Sequence, residues 1–142
     1  MSVILPGDLP ATQQLLSEGV SVEIAEDIDT SAPGILNLGL LNLMPEKLAT
    51  ETQIARMLAN GPHRVRPHLF VTNAYMARVR DPEYASANTP VEHLRHFYLN
   101  FDEVREQNLD GLIITGAPVE DIPYEDVPYW AEMVEIFDWA KA

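Results

Sequence analysis

Asp110-Gly-Leu-Ile-Ile-Thr-Gly-Ala-Pro-Val-Glu120 is the stretch that decides the fold class. Leu112-Ile113-Ile114 is a short, unbroken apolar run, the pattern of a strand covered on both faces in a parallel sheet. Asp110-Gly111 turns the chain into it. Thr115-Gly116-Ala117-Pro118 ends it abruptly, at the carboxyl edge where open α/β sheets hold their ligands. Glycine there admits close approach of the backbone to a ligand, and Pro118 fixes φ without offering a donor. Successive amides at a strand end can face an anion or a developing oxyanion. For Gly-Ala-Pro alone, a plain strand-to-helix connection is the competing reading.

Working outward, Ile35 to Leu43 reads as a strand near the sheet centre, and Pro45 starts a helix at its favoured first position. Leu48, Ile54, Met57 and Leu58 are its predicted buried stripe, and Asn60-Gly61-Pro62 is its stop. Val65 to Thr72 is predicted as the second strand, and Asn73 to Asn88 as a long polar loop. Thr89-Pro90-Val91-Glu92 and Asn100-Phe101-Asp102-Glu103 read as two capping boxes opening short helices. Pro128 opens a last helix, with Trp130, Met133, Val134, Phe137 and Ala140 at helical spacing. The β-α-β-α-β-α order predicts an α/β fold, a parallel sheet with helices on both faces. Three central strands are visible where a doubly wound sheet has five or more, so the architecture reads as incomplete. Residues 1–34, with three prolines, a short helix at Gln13 to Leu16 and an edge strand at Val20 to Ile24, read as an N-terminal arm. Such an arm can pack on a partner subunit, which leaves a homodimer open. Ser31-Ala32-Pro33-Gly34 is the hinge into the domain proper, residues 35–142.

A length of 142 residues suffices for one buried core. The formal net charge of −13 argues against nucleic acid, whose phosphates need clustered Lys and Arg. No apolar run approaches the roughly 20 residues of a membrane span, and the opening residues do not read as a signal peptide. With no cysteine, disulfides and thiolate metal sites are excluded, and a cytoplasmic location is the expectation. His93 and His96 lie three apart on a predicted helix, one geometry used for metals, but nothing acidic or sulfurous is spaced to complete a site. A packing histidine is the better reading, and no metal or bound cofactor is expected. His63 and His68 are isolated, and Trp130 and Trp139 read as packing residues.

Together with Asn42-Leu-Met-Pro-Glu-Lys47 and Asn88-Thr-Pro-Val-Glu-His-Leu94, the opening stretch resembles the homoserine O-acyltransferases of methionine synthesis, the succinyl-using enzymes and their acetyl-using relatives. The resemblance covers Ile35 to Ala142 well and the first residues loosely. It departs at the insertion Asp81-Pro-Glu-Tyr-Ala-Ser-Ala87. It implies a flavodoxin-like, glutamine-amidotransferase-like core acting on L-homoserine and acyl-CoA. It also implies ping-pong chemistry through a cysteine thioester, with a histidine oriented by a glutamate activating the homoserine hydroxyl. None of those three residues is in this chain, so it reads as the front portion of such an enzyme and is expected to be inactive alone. The resemblance places an oxyanion-hole amide near Val119, within a substrate loop of Thr115, Gly116, Ala117, Pro118 and Val119. At position 120 the family carries glycine with succinyl-CoA and glutamate with acetyl-CoA, so Glu120 implies acetyl-CoA as donor. Two readings of Lys47 stay open: a point charge for the CoA or substrate carboxylate, or a solvated lysine in a first helical turn. Arg64, Arg66, Arg78 and Arg80 are the groups that would hold a CoA phosphate if they gather together. The rival classes are a non-catalytic flavodoxin-like binding or regulatory module, and another amidotransferase-like enzyme such as a hydrolase.

Overall fold

The computed structural model describes residues 1–85, 89–116 and 130–141. Among the described residues, six strands, all paired in parallel, form one sheet: β1 (Ser2–Leu5), β2 (Val22–Ile24), β3 (Ile35–Leu41), β4 (Arg64–Val71), β5 (Leu99–Asn100) and β6 (Gly111–Ile114). The order is β2-β1-β4-β3-β6, with the two-residue β5 added at the end of β4. The α-helices of the described residues surround it: α1 (Pro10–Ser17), α2 (Lys47–Ala59), α3 (Asn73–Val79), α4 (Val91–Phe97), α5 (Phe101–Arg105) and α6 (Trp130–Lys141). The α/β parallel sheet expected from the sequence is present and is consistent with a flavodoxin-like assignment.

Alternation along the central strands builds two cores. Val3, Leu5, Leu40, Leu69 and Val71 meet Leu15 of α1, Ala55 and Ala59 of α2, Met76 and Val79 of α3 and Leu94 of α4. Leu41 and Phe70 point the other way, against Phe101 and Val104 of α5 and Met133 and Ile136 of α6. Burying both faces explains why these strands read as continuous apolar runs. On the second face, a Cβ on Gly39 would come within 2.9 Å of the Leu109 side chain and 3.2 Å of Phe70, so glycine lets Leu109 pack closely against β3. The Leu112 strand is half-buried, because it lies beside β3 at the end of the described sheet.

Residues 1–34, read from the sequence as an arm, contribute two strands and a helix to this sheet. β1 lies between β2 and β4, and Val3, Ile4 and Leu5 are buried. Four residues are too few to show a period, which is why the strand was illegible. Val22–Ile24 is an edge strand, as its alternation indicates. Gly34, at φ 90°, makes the turn into β3.

The buried stripe of α2 is Lys47, Glu51, Ala55 and Ala59, with Ile54 and Leu58 partly buried, whereas Met57 is exposed. Small alanines let the helix approach the sheet, and the two polar residues are buried because both find partners. The predicted loop from Asn73 holds α3 instead. The Thr72 hydroxyl caps it by accepting from the Tyr75 amide, and Met76 and Val79 bury its inner face. The stripe of α6 is Met133 and Ile136, whereas Val134 and Phe137 are exposed. The second capping box is formed as predicted, with Asn100 accepting from the Glu103 amide and the Glu103 carboxylate accepting from the Asn100 amide.

Candidate functional site

Because β3, β4 and β6 run parallel with Leu41 level with both Phe70 and Ile114, the segments that follow them leave at one edge. The three sequence motifs meet there. The Leu43 amide donates to the Thr115 hydroxyl oxygen at 2.8 Å, joining the turn after β3 to the turn after β6. The Thr115 hydroxyl in turn donates to the Gly116 carbonyl at 3.0 Å. Among the described residues, a Cβ on Gly116 would meet no atom within 4 Å. Ala117, Pro118, Val119 and Glu120 lie outside the described residues, as do Asn88 and the start of the predicted last helix.

Thr89 joins the third motif to the same turn. Its hydroxyl donates to the Pro45 carbonyl at 2.7 Å and accepts from the Lys47 amide at 3.1 Å. The predicted capping box at Thr89 is therefore not made: Pro90 is the N-cap of α4 and gives no side-chain bond. Burial decides between the two uses: Thr89 is 1% exposed, and its hydroxyl partners backbone groups of the turn that α2 itself does not.

Lys47 is 3% exposed, which overturns the reading of a solvated lysine. Its ammonium donates to the Met44 carbonyl at 2.5 Å and stands 4.8 Å from the centre of the Tyr75 ring. Burial pulls its pKa down to about 8, against the pull of the Glu51 charge one helical turn away. Glu51, at 2% exposure, accepts from the Tyr98 hydroxyl at 2.5 Å and from His93 Nε2 at 2.9 Å. Asn42 then donates to the Tyr98 oxygen at 2.9 Å and accepts from the Met44 amide at 3.2 Å. Burial first, then the Glu51 charge, pushes the Tyr98 phenol well above its usual range. This group of Glu51, Tyr98 and Asn42 escaped the sequence reading. The signal was two charged residues, Lys47 and Glu51, at i and i+4 on the sheet-facing side of α2.

The histidines part company: His93 pairs with Glu51, and the exposed His96 pairs with Asp8 at 2.7 Å. Among the described residues no group of three or more metal-ligating side chains converges. The arginines do not gather either. Arg64 pairs with Glu23 near the start of β4, Arg80 with Glu103, and Arg78 lies 5.3 Å from the Tyr75 ring. Among the described residues, no helix is long and apolar enough to cross a membrane.

The arrangement is a turn-rich edge, ordered by buried hydrogen bonds, that presents one buried cation and a glycine-containing loop. Comparison with known proteins agrees with it. The sequence model of the homoserine O-succinyltransferase family matches residues 2–142. A homoserine O-acetyltransferase of Synechococcus elongatus is 46% identical over 143 residues, covering 99% of this chain and 44% of the relative. One of Clostridium beijerinckii is 43% identical over 141 residues, covering 99% of this chain and 43% of the relative. One of Brucella canis is 43% identical over 142 residues, covering all of this chain and 44% of the relative. The chain thus spans less than half the length of these relatives. Motifs, fold and similarity agree, and the chain belongs to the homoserine O-succinyltransferase family.

Proposed function

We propose that this chain is the front portion of a homoserine O-acyltransferase that uses acetyl-CoA, with succinyl-CoA as the alternative donor, in methionine biosynthesis in the cytoplasm. The observation that carries the proposal is the meeting of Asn42–Lys47, Thr89 and Thr115 at one carboxyl edge through buried and part-buried hydrogen bonds. In this reading the acyl group passes to a cysteine that this chain does not contain, and then to the homoserine hydroxyl. The chain's own contribution is positioning. Lys47 offers a positive charge to an anionic substrate, and by the family resemblance the substrate loop that begins at Thr115 and Gly116 supplies an amide to the developing oxyanion. The family model is named for succinyl transfer and the relatives for acetyl transfer. Acetyl-CoA is favoured by those relatives and by Glu120.

The test is a chimaera joining this chain to the remaining portion of the Synechococcus elongatus relative, assayed for CoA release. Homoserine-dependent release from acetyl-CoA is the expected result, and a folded but silent chimaera would overturn the proposal. The 142-residue chain by itself should release no CoA above background, because it has no cysteine. Turnover would show that the nucleophile is a different residue.

A further inference from the structure

Glu51 is costly where it stands. A carboxylate taken out of water loses far more than a leucine would gain at that sheet-facing position, unless every lone pair finds a partner. Here Tyr98 and His93 supply the partners, and among the described residues no buried side-chain nitrogen or oxygen is left without one. Replacing such a cluster by apolar side chains is often neutral or stabilising, so packing alone gives no reason for it. What the cluster does is set direction. A carboxylate only accepts, so the single Tyr98 proton points at Glu51 and the phenol oxygen must accept from Asn42. That turns the Asn42 amide so that its oxygen faces the Met44 N–H, and the Met44 carbonyl is left to hold the Lys47 ammonium.

We propose that Glu51 is a positioning residue for the edge site: through Tyr98 and Asn42 it fixes the turn from Asn42 to Lys47, and as the nearby counter-charge it keeps Lys47 cationic for an anionic acyl donor. The role toward the donor rests on the acyltransferase reading, whereas the coupling between Glu51 and Lys47 does not. Groups facing Lys47 come from several elements. Glu51 is on α2, Tyr75 on α3 has Arg78 over its ring and Tyr84 beside it, and Tyr98 with His93 stands behind Glu51. Of these, Glu51 is the carboxylate that opposes the effect of burial on the lysine.

The experiment follows the Lys47 titration by NMR of the isotopically labelled chain, together with the Leu43 and Met44 amide signals. In Glu51→Gln the midpoint should fall by about one pH unit, a tenfold loss of proton affinity, and both amides should shift. Glu51→Asp, which keeps the charge, should hold the midpoint near the parent value. Tyr98→Phe, which keeps the ring and the carboxylate, should shift the Met44 amide and leave the midpoint in place. An unchanged midpoint in a folded Glu51→Gln chain, with both amides unmoved, would overturn the inference and mark the cluster as packing. In the chimaera, Glu51→Gln should raise the KM for acyl-CoA more than it lowers kcat. A chimaera silent in its parent form would remove the acyltransferase reading and leave the measured coupling standing.

Discussion

At the scale of single residues, two side chains carry separable expectations. Glu120 is proposed, from the family pattern alone, as the residue that selects the acyl donor. Succinyl-CoA ends in a carboxylate and acetyl-CoA in a methyl, so only the former brings two like charges together. At about 4 Å and an effective dielectric near 20 the repulsion is roughly 4 kcal/mol, several hundredfold in relative rate before screening. Glu120→Gly in the chimaera should therefore move the ratio of kcat/KM values toward succinyl-CoA, and a ratio left unaltered would sink the donor assignment alone. His68 is an expectation about stability. Its Nε2 meets the Asn37 oxygen at 3.0 Å, and burial, helped by Arg66, depresses its pKa from 6.5 to about 4. Between those values the unfolded chain takes up a proton that the folded chain refuses, so stability is lost as pH falls from about 6.5 to about 4. His68→Asn should flatten that part of the acid limb, as read by urea unfolding at neutral and acidic pH.

At the scale of elements, the turn between β3 and α2 is held by side chains from elsewhere. Thr89 illustrates how position outweighs motif. Thr-Pro-x-Glu is a sound helix-start pattern, and α4 does start there, but the hydroxyl serves the Pro45 carbonyl and the Lys47 amide, 44 and 42 residues away. Thr89→Val keeps the shape and strands both groups. Each buried backbone group left without a partner costs about 1–3 kcal/mol. The midpoint of thermal unfolding should fall accordingly, and Thr89→Ser should recover most of the loss. A Thr89→Val chain as stable as the parent would mean that water or another group replaces the hydroxyl. By contrast, the capping box at Asn100 was legible in full, because cap and partner are three residues apart and need nothing from the rest of the fold.

At the scale of the whole molecule, the described sheet ends on β6, whose four residues are all half-buried, while Val134 and Phe137 on α6 are each 40% exposed. An open strand edge beside exposed apolar side chains favours association. Sedimentation of the purified chain should show a concentration-dependent mass, and Val134→Lys with Phe137→Glu should reduce it. A strictly monomeric parent at high concentration would show that these surfaces are covered within the chain. What the sequence determined by itself was whatever rests on neighbours: the apolar runs of β3, β4 and β6, the Asn100 cap, the stop at Asn60-Gly61, and hence an α/β parallel sheet. It also held the three motifs that mark the family. The tertiary structure decided whatever rests on distant partners. It placed β1 inside the sheet, where three apolar residues after Ser2 become a strand only beside β4, and it turned α2 to bury Lys47 and Glu51. It drew Thr89, Tyr98 and Asn42 to the edge where Thr115 ends its strand. The physical reason is that a buried polar group is tolerated only when its partner arrives, and those partners lie 42 to 72 residues away along the chain.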